Sequence, residues 1–80
     1  MEDRISVSPH VLGGKPYITG TKLTVTFVLE MLKSGYSFDR ILESFPQIER
    51  QDIQACLSYA ISLIERGSGR QEQEEEKGTS

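Results

Sequence analysis

Cysteine and histidine are scarce in this 80-residue sequence: each occurs once, as Cys56 and His10. A single cysteine closes no internal disulfide, so the fold has no covalent staple. One His and one Cys also fall short of the three or four strong ligands that a zinc site takes, and no metal is expected. As a nucleophile and its base the pair is equally poor. Cys56 falls on the apolar face of a predicted helix, where a buried, inert thiol is the usual state. The carboxylates fall on predicted solvated helix faces or in the C-terminal tail, with no pair set in an apolar pocket. No catalytic residue and no cofactor are expected, and the chain reads as a binding domain rather than an enzyme.

Long apolar runs are missing as well. None approaches the roughly 20 residues needed to span a bilayer. The N-terminus, MEDRISVSPH, has no apolar signal core and carries acidic residues early. A lone cysteine without an export signal fits a reducing cytoplasm. Glycines at phosphate-loop spacing are absent too. The Gly13-Gly14-Lys15-Pro16 stretch has neither the glycine pattern nor the strand-to-helix context that cradles a nucleotide. So short a chain buries a small core, and without staples a homodimer is the expected remedy.

The net charge of −3 is unevenly spread. The tail, residues 67–80, holds Glu72, Glu74, Glu75 and Glu76 against Arg70 and Lys77. Residues 4–33 hold Arg4, Lys15, Lys22 and Lys33 against Glu30 alone. A locally basic N-terminal arm permits contact with nucleic acid, although ordinary surface charge accounts for counts this small equally well.

Ile5 and Val7 alternate with polar residues, the period of a strand with one buried face. Tyr17–Ile18 and Thr21–Leu23, punctuated by Gly13-Gly14 and Gly20, read as short extended pieces that make one or two short strands with tight turns. Thr24 then caps a helix with Val25, Val28, Leu29 and Leu32 on one face and Phe27 and Met31 beside it, stopped by Gly35. Ser37 caps a second helix bearing Phe38, Ile41, Leu42 and Phe45, closed by Pro46. A third starts near Glu49 to Asp52 and runs to Arg66, with Ile53, Cys56, Leu57, Ala60, Ile61 and Ile64 as its apolar face and Gly67 as its stop. Tyr59 and Leu63 lie off that face, at the edge of the core or against a partner. Residues 1–66 thus form the domain. Residues 67–80, GSGRQEQEEEKGTS, carry no large apolar residue and are expected to be a disordered acidic tail.

A short helix, a turn with Pro46 and a longer helix suit a helix-turn-helix unit. The N-terminal residues of the second helix in such a unit face base edges. Arg50, Gln51 and Gln54 are able base readers there, and Arg4, Lys15 and Lys22 are the candidates for phosphates. Glu49 and Asp52 oppose phosphate but suit the positive end of a helix. A helical hairpin used for dimerisation, in an adaptor that binds protein and no DNA, fits the same spacing.

The segments LGGKPYITGTKLTV and SGYSFDRILESFPQIERQDIQACLSYA closely resemble the bacterial domain-of-unknown-function family 433. The likeness covers about residues 5–62 and rests on Gly13, Gly14, Pro16, Ile18, Gly20, Thr21, Lys22, Gly35, Ser37, Phe45, Pro46, Leu57, Tyr59 and Ala60. Two residues depart from the usual pattern: Lys22 stands for an arginine, losing the bidentate fork, and Phe45 for a tyrosine. The resemblance implies a mainly α, homeodomain-like three-helix bundle with a short N-terminal β arm. It further implies a VapB-like antitoxin that dimerises, binds duplex DNA at its own promoter and neutralises a PIN-type ribonuclease toxin through a C-terminal extension. Such nucleases hold metal with clustered carboxylates, which an arginine meets through two parallel hydrogen bonds. Arg70, with Arg66 second, is the candidate for that contact.

Overall fold

The computed structural model describes residues 3–68, in the order β1 (Ile5–Ser6), β2 (Tyr17–Ile18), α1 (Val25–Lys33), α2 (Phe38–Ser44) and α3 (Arg50–Ser68). Arg70 and the rest of the expected tail beyond Ser68 lie outside the described residues.

The alternating Ile5 segment does form a strand, and its partner is within the chain. β1 runs antiparallel to β2 with Ile5 opposite Ile18 and Ser6 opposite Tyr17. The strand therefore gives no reason of its own for a second copy, as an unpaired strand would. Val7 lies past its end and is exposed. Between the strands, Leu12–Gly14 make a tight turn with left-handed backbone at all three residues, φ 52°, 66° and 82°. Glycine adopts that region freely, which accounts for the Gly13-Gly14 pair.

The second extended piece, Thr21–Leu23, is not a strand. Thr21 closes a turn after β2 instead: its hydroxyl donates to the Ile18 carbonyl at 2.8 Å and accepts the Leu23 amide at 3.0 Å. A side chain that bonds both sides of its own turn competes with ladder formation. Pairing resumes only at an isolated bridge between Tyr17 and Thr24.

The helix signals are realised at both ends of α1 and α2, whereas Gly67 does not stop the third helix, which runs past Arg66 to Ser68. Thr24 Oγ1 accepts the Phe27 amide at 3.0 Å and Ser37 Oγ accepts the Arg40 amide at 3.1 Å, which satisfies donors left over at each helix start. At the end of α1 the Gly35 amide bonds the Leu32 carbonyl and the Tyr36 amide bonds the Met31 carbonyl, both at 3.0 Å. That is a Schellman motif, and Gly35 at φ 101° supplies its left-handed residue. Phe45, preceding Pro46, leaves the helical region at φ −133°, ψ 76°.

Ile18, Val25, Val28, Met31, Ile41, Ile48, Ile53 and Cys56 are the buried core. Two differences from the periodic reading matter. Ile48 lies in the turn between α2 and α3, outside any helical repeat, yet it is buried and its amide bonds the Phe45 carbonyl at 3.1 Å. Conversely, Leu57, Ile61 and Ile64 continue the stripe of Ile53 and Cys56 but are exposed. The cause is length. At 1.5 Å per residue the 19 residues of α3 reach about 28 Å, whereas α1 and α2 have 9 and 7 residues. The helix outruns the bodies that could cover it.

Candidate nucleic-acid interface

α2, the turn 45–49 and α3 form the expected helix-turn-helix, and the geometry at the start of α3 is set by one carboxylate. Asp52 Oδ2 accepts the Glu49 amide at 2.8 Å, reaching back to the residue before the helix as in a capping box. Its other oxygen, Oδ1, accepts from Arg4 Nη1 at 2.9 Å, and the same nitrogen lies 3.4 Å from Glu49 Oε1. Asp52 is buried, and the Arg4 side chain is 29% exposed. A charged group taken from water needs such compensation. The ion pair ties the β arm to α3 across 48 residues of sequence.

The objection that Asp52 repels phosphate is thereby reduced, while the Glu49 side chain stays 66% exposed. At 100° per residue, Arg50, Gln51 and Gln54 share a face roughly 140° round the helix from the core residues Ile53 and Cys56. Asp52 lies on the flank toward β1. All three candidate base readers are exposed. Arg50 Nη2 donates to Asp39 Oδ1 at 2.7 Å and its guanidinium lies 5.3 Å from the Phe38 ring centroid. The pair is solvent-exposed, with the side chains 51% and 81% accessible, so it holds the arginine in place without a large energetic commitment.

The phosphate candidates divide. Lys15 and Lys22 are exposed on the arm. Arg4 is engaged by the α3 carboxylates, so reaching a phosphate would mean breaking its 2.9 Å contact with Asp52. Arg40, which periodicity did not single out, is exposed on α2 with its guanidinium 5.1 Å from the Tyr36 ring centroid. The first helix of a helix-turn-helix crosses the phosphate backbone, and that rule was the signal available for it. Arg66 is exposed near the end of α3.

Beside this face runs an open groove of about 530 Å3 between the arm and α3, lined by Arg4, Ile5, Ala55, Ser58, Tyr59 and Ser62 among others. Cys56 lies in the core, not at the interface. Burial first, and then the nearby Asp52 charge, push its thiol from 9.0 up to about 11. Among the described residues no helix is long and apolar enough to cross a membrane.

Residues 5–60 match the family described as "Protein of unknown function (DUF433)". The chain belongs to the DUF433 family. A crystal structure of a DUF433 member protein from Anabaena variabilis superimposes with a TM-score of 0.73 at 24% identity, covering 79% of this chain and 62% of that one. At that identity the likeness speaks for the fold: a mainly helical bundle with a short N-terminal sheet, as the sequence resemblance implied. The chain is also 33% identical over 66 residues to "Uncharacterized protein y4eO" of Sinorhizobium fredii. That match takes in 82% of this chain but 30% of the relative, so the chain spans about a third of that DUF433-like protein's length.

Proposed function

We propose that this DUF433 chain is an antitoxin-like, cytoplasmic DNA-binding protein that acts as a homodimer on its own promoter and neutralises a PIN-type ribonuclease, working by binding and not by catalysis. The observation that carries the DNA part is the exposed face of Arg50, Gln51 and Gln54 at the start of α3, with Asp52 turned away into its contacts with Glu49 and Arg4. Arginine reads guanine and glutamine reads adenine through paired bonds in the major groove. Lys15, Lys22 and Arg40 serve phosphates; Arg4 holds the arm against α3. The toxin part rests on the sequence resemblance, with Arg66 and Arg70 as the cations offered to the nuclease carboxylates.

The test is fluorescence anisotropy on duplex DNA from the chain's own upstream region, together with co-purification of the protein encoded beside it. Arg50→Ala weakens the specific duplex by about 5- to 150-fold, equivalent to about 1–3 kcal/mol, whereas Lys22→Ala weakens all duplexes alike. No binding to any duplex at low salt would end the DNA reading. The protein-only adaptor is the second reading. What favours it is the exposed Leu57, Ile61 and Ile64 on α3, a surface suited to protein and not to phosphate.

A further inference from the structure

Twelve consecutive residues of α3, 53–64, carry no charged side chain. Within them Leu57, Ile61 and Ile64, on one face, are 36%, 54% and 65% exposed. Together they leave the equivalent of about one and a half whole aliphatic side chains per copy facing water. A surface whose centre lacks charge and is rich in aliphatic groups has the composition of a homodimer interface.

We propose that the C-terminal half of α3 packs antiparallel against α3 of a second copy, and that this pairing spaces two Arg50–Gln51–Gln54 faces for half-sites one turn of duplex apart. The second half of that statement rests on the DNA-binding reading above.

Three features select a second copy as the occupant. First, the stripe is self-complementary. Antiparallel pairing about the midpoint of Ala60 and Ile61 sets Leu57 against Ile64 of the second copy, aliphatic on aliphatic, and small Ala60 against its Ile61, which leaves the central isoleucines room. Second, the two uncharged stretches 53–64 bring no like charges together, whereas a charged partner would have to bury its charge unpaired. Third, the bundle packs on the N-terminal half of α3, through Ile53 and Cys56. Antiparallel pairing sends the two bundles to opposite ends, while parallel pairing would set them side by side. Opposed helix dipoles favour the same arrangement.

The spacing then follows from helix geometry. Arg50 lies about ten residues from the pairing midpoint, so the two copies of it stand roughly 30 Å apart along the helix pair. Helix-turn-helix dimers address half-sites about 34 Å apart. The recognition residues lie roughly 60° round α3 from the apolar stripe. A two-fold axis perpendicular to the plane of the helix pair turns both sets to the same side, where one duplex reaches both.

Sedimentation velocity on the full chain tests the interface without DNA. The wild type sediments as a dimer at micromolar concentration, and Ile61→Glu sediments as a monomer with unchanged far-ultraviolet circular dichroism. Oxidative cross-linking tests the direction. Ile61→Cys, next to the two-fold, forms a covalent dimer under oxidised glutathione, while Leu57→Cys and Ile64→Cys do not; Cys56 is buried and stays out of the reaction. A wild-type monomer across the micromolar range, a dimeric Ile61→Glu, or cross-linking at 57 as fast as at 61 would overturn the interface. If Ile61→Glu is monomeric yet binds duplex as tightly and as steeply as the wild type, the half-site spacing is wrong while the interface stands. If the dimer forms as described and no duplex binds at all, the fault lies in the DNA reading.

Discussion

Replacing Asp52 by alanine removes two interactions at once. The first is the 2.8 Å bond from the Glu49 amide, a cap whose loss costs about 1 kcal/mol. The second is the 2.9 Å contact with Arg4. A hydrogen bond to a charged group is worth about 1.5–3 kcal/mol. Arg4 is 29% exposed and falls back on Glu49 and water, so a share near 1 kcal/mol is appropriate. The sum is about 2 kcal/mol, which for a domain of this size lowers Tm by about 8–16 °C. Thermal and urea denaturation at one fixed protein concentration measures it, since the proposed dimer would make Tm depend on concentration. Asp52→Asn keeps a cap acceptor and loses only the charge, so it falls about halfway. Arg4→Ala combined with Asp52→Ala gives less than the sum of the single changes, because each removes the same contact. An Asp52→Ala protein within about 0.5 kcal/mol of wild type, a shift typical of an indifferent surface site, would refute the clamp. So would strict additivity with Arg4→Ala.

Gly35→Ala forces a β-carbon into the left-handed region at φ 101° and destabilises by about 1–2 kcal/mol, read in the same melts. Ile53→Val deletes one methylene from a fully buried side chain and costs about 0.5–1.5 kcal/mol, while Ile61→Val on the same helix changes the stability of the monomeric fold by less than about 0.5 kcal/mol. The Cys56 thiol, raised to about 11, stays protonated near neutral pH, so an aromatic disulfide reagent at pH 8 labels it only as fast as the chain opens. Because the folded thiol holds its proton more tightly than the unfolded one, its contribution to stability is complete below about pH 9 and is lost as pH rises toward 11.

Helix starts and stops were legible because their chemistry is local. Thr24, Ser37, Gly35 and Pro46 act within four residues of where they stand, and each does what its residue type allows. The glycine punctuation leaves open whether residues 17–23 hold one short strand or two, and the Thr21 hydroxyl decides it for one by making two bonds within its own turn. Ile48 was missed since a turn residue has no period to reveal it. Leu57, Ile61 and Ile64 illustrate the opposite limit. Periodicity identifies a face that wants to be covered, but only the lengths of α1 and α2 decide whether the same chain covers it. At the candidate site, the placement of Arg50, Gln51 and Gln54 on an exposed face at the start of α3 was legible from their position in the chain. The Arg4–Asp52 contact was not, because 48 residues separate its members and either charge alone looked like a surface feature. That contact changes the reading of the surface most, since it turns a carboxylate that looked free into a support for the start of α3.

The claim that the start of α3 faces duplex DNA is most directly tested by amide chemical-shift mapping of the 15N-labelled chain during titration with duplex from its own upstream region at low salt. The account predicts that the largest shifts fall on residues 50–54, with smaller ones at Lys15, Lys22 and Arg40, and that salt reverses the smaller set first. Shifts confined to residues 57–64, or none at any duplex concentration, would contradict it.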